Sequence, residues 1–296
     1  VLAHDPALEH TGMIPVSQAR LPAAIAAPAA STNHVSPMEI FVAQPIIPWP
    51  GGKRRLAKHL LPLFDIPHTC YVEAFAGAAA MLFARPEPAK VEVLNDVNRD
   101  LVNLYRVVAH HLDEFVRQFR WALSSREMFR WAQLQHVDTL TDVQRAARFF
   151  YLQRLAFGGK VVGQSFGVDT HGRNAINLLR VEEDLSAAHL RLNQVVIEHL
   201  AWQDCLGRYD REHTLFFLDP PYWQTAGYGM PFGLEQYEQL AVRMAALQGR
   251  AVLTINDHPD MRRIFAAFRR RRVPISYTIG GAQRAKQTAE LIFTTW

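Results

Sequence analysis

Two spacings of apolar residues alternate along this chain, and each marks a different kind of element. Leu215-Phe216-Phe217-Leu218, four apolar residues closed off by Pro220-Pro221, predict a strand buried on both faces of a parallel sheet. Cys70-Tyr71-Val72, Val91-Glu92-Val93-Leu94, Val195-Val196-Ile197-Glu198 and Ala251-Val252-Leu253-Thr254-Ile255 predict further strands. Ile275-Ser276-Tyr277-Thr278 and Glu290-Leu291-Ile292-Phe293-Thr294 read as a closing hairpin. Helical spacing lies between them, through Leu56, Leu60, Leu63 and Phe64, then through Leu101, Leu104, Tyr105, Val108 and Leu112. Thr141 and Gln144 match a capping box for a helix through Phe149, Phe150 and Leu152. Leu234 to Leu240 begins a helix that ends near Gly249, and Met261, Ile264, Phe265 and Phe268 mark another, with Arg269 to Arg272 at its end. The first 37 residues, rich in Ala, Pro, Ser and His, show no period and read as a disordered or loosely docked tail.

Strands alternating with helices predict an α/β fold, in which ligands gather outside the carboxyl ends of the strands. Composition narrows the class. With 296 residues, 49% hydrophobic and 20% charged, the chain can bury a large core. A net charge of +4 permits nucleic acid as a partner without demanding it. Two cysteines, Cys70 and Cys205, are too few for a disulfide framework or a cysteine-rich zinc site, so cytoplasmic residence and no metal are expected. Acidic Asp5 and Glu9 argue against a signal peptide, and no apolar run is long enough to span a bilayer.

The candidate chemistry sits where the predicted strands end. Asp219-Pro220-Pro221-Tyr222 delivers a carboxylate, two residues of fixed φ and an aromatic ring together. A carboxylate and a backbone carbonyl in the plane of an adenine amino group accept both its hydrogens and expose its lone pair, while the ring stacks on the base. A strand-ending turn is the plainer use of the same residues. Gln44 to Lys53 is a proline-stiffened loop with Gly51 and Gly52 before a helix; it lacks the Gly and Ser or Thr of a Walker loop, where Pro48 and Arg54 stand, which disfavours a nucleotide hydrolase. Cys70 to Met81 turns from strand into small residues, but Gly77 is its one glycine, which disfavours nicotinamide or flavin. Asp96, ending the next strand, suits either a ribose hydroxyl or the cap of the following helix. Gly158 to Asn174 alternates glycines with Phe166, His171 and polar residues, as suits a hairpin probing base edges or a plain surface loop.

Taken in order, Trp49-x-Gly-Gly-Lys53, Glu73-x-Phe75-x-Gly77, Asn95-Asp96-Val97-Asn98 and Asp219-Pro-Pro-Tyr222 resemble the DNA adenine methyltransferases of the Dam type, over roughly Pro48 to Thr295. The resemblance implies a Rossmann-like methyltransferase sheet that moves a methyl group from S-adenosyl-L-methionine to the amino nitrogen of a flipped adenine in double-stranded DNA. It places Trp49, Lys53, Glu73, Phe75, Asp96, Asp204 and Asp219 around the cofactor, and Asp219, Pro220 and Tyr222 at the reacting base. It further implies a catalytic domain formed by 38–112 and 194–296 around a mostly helical recognition insertion at 113–193. There Arg154, Lys160, Arg173 and Asn174 are expected to meet DNA, as are Arg284 and Lys286 in a basic loop before the last strand. Ala74 and Ala78 depart from the family's usual Pro and Gly, and Gln153 and Gly158 replace both asparagines of its Asn-Arg-x-x-Phe-Asn-Gly segment, so a GATC site does not carry over. RNA-adenine and protein-glutamine methyltransferases share the geometry, although glutamine enzymes usually carry Asn at the position of Asp219. A non-catalytic DNA-binding module of the same fold is the other alternative. Oligomeric state is not legible.

Overall fold

The apolar runs pair into a single sheet. Cys70–Glu73 (β1), Val91–Asn95 (β2), Val195–Glu198 (β3), Thr214–Leu218 (β4), Arg250–Asn256 (β5), Arg269–Tyr277 (β6) and Lys286–Thr294 (β7) lie in the order β3-β2-β1-β4-β5-β7-β6. β1 to β5 are parallel, and β7 runs antiparallel between β5 and β6. This computed structural model describes residues 43–167, 178–225, 229, 231–277 and 286–296, with backbone alone for 178, 179, 276, 277 and 286–288. The tail assigned to residues 1–37 lies outside the described residues.

Strand alternation divides the core. Tyr71, Leu215, Phe217, Val252 and Ile292 face one side, where they meet Ala57–Phe64 (α1), Arg99–His110 (α3), Asp142–Leu155 (α6) and Leu178–Leu192 (α7). Val72, Val93, Phe216, Leu218, Leu253 and Ile255 face the other, against Trp202–Tyr209 (α8), Leu234–Ala245 (α9) and Pro259–Ile264 (α10). Both sides being covered, β4 is buried at all five positions, which is why its sequence carries no polar alternation. Each large apolar side chain fully buried there contributes roughly 1.5–3 kcal/mol.

The short helices Ala80–Ala84 (α2), Leu112–Arg117 (α4) and Arg126–Leu134 (α5) complete the framework. Phe115, Phe129, Phe150 and Leu185, from α4, α5, α6 and α7, belong to the same apolar cluster as α3 and the sheet, and Phe41–Trp296 form one compact unit. The expected capping box is present at Thr141, whose hydroxyl accepts from Gln144 while the Gln144 amide oxygen accepts from the Thr141 backbone N–H.

One sequence expectation is corrected. Arg269 to Arg272 do not close a helix: α10 ends at Ile264, and all four arginines lie in β6, paired with Leu291 to Thr294 of β7. Phe265 and Phe268 continue the apolar spacing but not the helix, with Phe265 stacked on Phe293 at 5.3 Å between ring centroids. The long-range pairing with β7 supplies what the local pattern does not encode.

Candidate active site

The sheet order reverses between β1 and β4, and the crevice outside their carboxyl ends is a cavity of ≈ 320 Å³. Its walls come from three of the predicted turns: Glu73 to Ala78 after β1, Asn95 to Asn98 after β2, and Asp219 with Pro221 after β4. The loop Trp49 to Lys53 closes one side, while Trp202, Gln203, Pro231 and Phe232 close another.

Asp219 is held from two directions. Lys53, only 3% exposed, brings its Nζ to 2.8 Å from the carboxylate, and the Thr254 hydroxyl of β5 donates to Oδ1 at 2.8 Å. Burial pushes the Asp219 pKa up to about 6, against the pull of the Lys53 charge and of both hydrogen bonds. The Lys53 ammonium also donates to the Gly51 carbonyl and lies 4.4 Å from the centre of the Tyr222 ring. Beyond Asp219 the chain is clamped again. Tyr237 of α9 donates its hydroxyl to the Pro221 carbonyl, and Asn256 accepts from the Trp223 N–H while donating to the Trp223 carbonyl at 3.1 Å. Carboxylate and ring are thus fixed by groups on β5 and α9 as well as by the two prolines.

The opposite wall is tied to the βα turn. Asp96 accepts from the Gly77 N–H at 3.0 Å and from the Asn98 N–H at 2.8 Å, while Asn98, not Asp96, caps α3. Burial raises the Asp96 pKa and those N–H groups oppose it; each oxygen keeps a lone pair for a hydroxyl. Gly77 adopts φ +49°, and a Cβ there would sit 2.8 Å from the Trp49 indole, so only glycine fits between turn and ring. Ala79 nearby holds a left-handed φ of 52° without being glycine, a strain of roughly 1–2 kcal/mol. Glu73 lies fully buried beneath, accepting from the Tyr71 hydroxyl at 3.0 Å and the Leu82 N–H at 2.6 Å. Burial drives its pKa up to about 8, against the pull of both hydrogen bonds. Phe75, with Trp202 and Phe232 at 6.3 and 5.8 Å between centroids, gives the cavity an aromatic wall.

Comparison with known proteins follows the same geometry. A family model described as D12 class N6 adenine-specific DNA methyltransferase matches residues 49–246. The chain belongs to that class. Among similar proteins, the Type II methyltransferase M.CviBI of Paramecium bursaria Chlorella virus NC1A is 24% identical over 233 residues, 76% of this chain and 87% of its own length. The DNA adenine methylase of Haemophilus influenzae is 24% identical over 269 residues, 84% of this chain and 92% of that protein. That of Serratia marcescens is 30% identical over 118 residues, covering 38% and 42% respectively. This D12-class methyltransferase is therefore an enzyme that methylates adenine at N6 in DNA. Among the described residues no helix is long and apolar enough to cross a membrane, and no His, Cys, Asp and Glu cluster is placed to hold a metal ion.

Not every expected residue of the D12-class enzyme is where its sequence position implied. Trp49, Lys53, Glu73, Phe75, Asp96 and Asp219 all line the cavity. Asp204 does not: it is exposed in the first turn of α8, and Gln203 lines the cavity instead, because one step around a helix turns a side chain by about 100°. Pro220 and Tyr222 are buried and do not line the cavity; Tyr222 is 8% exposed and packs against the cavity-lining Lys53 ammonium. Arg154, expected on DNA, turns into the protein. It donates to the Ile46 carbonyl at 3.3 Å, its Nε is buried without a partner, and burial lowers its pKa. Lys160 is exposed in the hairpin closed by the Ala156 to Phe166 bridge. Arg173, Asn174 and Arg284 lie outside the described residues, and Lys286 opens β7 by its backbone. Sequence reading missed Thr254 and Tyr237 as supports, since their partners are distant in sequence; a polar residue interrupting an apolar strand was the available signal at Thr254.

Proposed function

We propose that this D12-class enzyme uses S-adenosyl-L-methionine as methyl donor and methylates a flipped adenine of duplex DNA at the Asp219-to-Tyr222 loop. The observation that carries this reading is one ammonium, Lys53, held at once by the carboxylate of Asp219 on the cavity wall and by the ring of Tyr222. The cavity suits the donor by its own chemistry. Asp96 offers acceptor lone pairs for ribose hydroxyls, Phe75 and Trp202 offer apolar faces for a purine, and Glu73 offers a carboxyl that a cationic ligand would draw to ionise. Bound there, the donor supplies an activated methyl group on a good leaving group. Asp219 accepts hydrogen bonds from the adenine amino group, with the Pro220 carbonyl as second acceptor, so that charge developing on nitrogen is stabilised. Tyr222 stacks on the base, and Lys53 keeps Asp219 ionised near neutral pH.

In the same reading, 38–112 and 194–296 do the chemistry, and 113–193 is the DNA-recognition portion. Support comes from the hairpin after α6. Gln153 of α6 donates to the Pro48 carbonyl at 2.9 Å, which seats the hairpin beside the cavity loop, and Phe157, Lys160 and Val162 point out from it. Supplying tritiated methyl donor with duplex DNA, RNA or protein is expected to label adenine in duplex DNA. Tyr222→Ala should lower that turnover roughly 10- to 100-fold, the equivalent of about 1–3 kcal/mol of stacking, and Tyr222→Phe should keep most of it. Label confined to RNA or protein would overturn the reading.

A further inference from the structure

The correction at Arg269 to Arg272 leaves those residues in an unusual place. Among the described residues β6 is the outermost strand beyond β7, with no strand paired to its other side, and all four arginines on it are exposed. Their side chains alternate. Arg271 reaches toward His59 of α1 at 3.5 Å, whereas Arg272 turns to the other face and pairs with Asp257 at 2.6 Å. Asp257 is shared with Arg262 at 2.5 Å, and among the described residues Arg269 and Arg270 have no acidic partner. Lys58, Arg262 and Arg263 add to the four arginines, and Glu238, Asp257 and Asp260 oppose them.

We propose that the arginine-bearing free edge of β6 is a second contact for the phosphate backbone of duplex DNA, engaging flanking base pairs beyond those at the catalytic mouth. The proposal rests on the DNA-methylation reading and extends it. Register fixes the geometry: Arg272 pairs with Leu291, which pairs with Ile255, one residue short of the carboxyl end of β5. The edge therefore reaches the level of the mouth and runs back from it by about 10 Å. Three strand spacings separate β6 from β4, which carries Asp219 at its end, a lateral offset of about 14 Å. With about 3.4 Å of rise per base pair, a duplex lying across the mouth meets this edge about four base pairs from the target adenine. Exposed guanidinium groups on an unbroken strand are suited to phosphate and carry no sequence information. Charged residues also discourage edge-to-edge pairing of sheets, which the experiment separates from DNA contact.

The test compares the full chain with its Arg269→Ala/Arg270→Ala/Arg271→Ala and corresponding triple Lys variants, leaving Arg272 to hold Asp257. Affinity is measured against salt for a duplex with long flanks and for one trimmed to about three base pairs on each side of the target, within the offset set by the strand spacing. On the long duplex the Ala variant should lose about 2–3 units of salt slope, at about 0.9 per phosphate contact; the Lys variant should keep the slope, and turnover at saturating DNA should not change. On the trimmed duplex all three proteins should match. An unchanged slope on the long duplex overturns the proposal, as does an equal loss on both duplexes. An Ala variant that self-associates with its slope intact marks the arginines as edge protection, and lost binding to anionic vesicles with the DNA slope intact marks a membrane contact; either result also overturns it. If the unmodified enzyme labels no duplex DNA, the underlying reading fails instead.

Discussion

On the cavity side of Asp219 almost every polar group is tied to the sheet. Thr254 and Lys53 hold the carboxylate, Asp96 holds the Gly77 turn, and Glu73 is fastened to Tyr71 and Leu82. Across the mouth, the hairpin after α6 leaves Phe157 50% and Val162 57% exposed, and Gly158, Gly159 and Gly163 all take positive φ. The first region is fastened by buried bonds to the sheet; the second is fastened within itself, through Gln153, Gln164 and the Phe157 backbone, and turns its outer side chains to solvent. Methyl transfer requires fixed approach geometry, which strands supply, whereas fitting to a duplex tolerates a loop that adapts. The contrast supports the proposed division, with turnover on one side of the mouth and binding on the other.

Substitutions can break that division, and the largest effect is expected at Asp219. Asp219→Ala should lower single-turnover methyl transfer by about 10²–10³-fold with little change in duplex affinity, because it removes an acceptor needed as charge develops. An equal fall in affinity, read by fluorescence anisotropy, would show that the two sides are not separable. Lys53→Gln tests how the carboxylate is kept charged. Burial has raised the Asp219 pKa to about 6 and Lys53 opposes that rise, so wild-type turnover should fall as pH drops through about 6. Without the ammonium the carboxyl protonates at higher pH, and the acidic limb of the kcat profile should move up. An unmoved limb would assign it to another group. The smallest effect is expected at Lys160→Ala, which should weaken binding about equally for all duplex sequences and reduce the salt slope by about 1, with kcat unchanged.

The same contrast explains what the sequence disclosed. β4 was legible because burial on both faces leaves an uninterrupted apolar run, and the turns after β1 and β2 because ligand-facing backbone demands small residues and an acid at fixed spacing. That Gln203 and not Asp204 lines the cavity was not legible, because helical phase decides which side chain faces inward, and residue type does not report phase. The second half of β6 was legible as one arm of the closing hairpin, but its first half, Arg269 to Arg272, was mistaken for a helix end because its pairing is with a strand whose partner register no local pattern encodes. The inward turn of Arg154 depends on the Ile46 carbonyl, 108 positions away.

The bare α-carbon at Gly77 makes the cofactor loop and the first βα turn interlock. The indole of Trp49 lies where any larger residue would put its first methyl, and Lys53 follows four positions later on the same loop. The Lys53 ammonium pairs with the Asp219 carboxylate at 2.8 Å, so one short loop carries both the ring against Gly77 and the charge beside Asp219. In the proposed reading, a donor that pressed on the Trp49 indole would act on the same loop that carries the ion pair to Asp219.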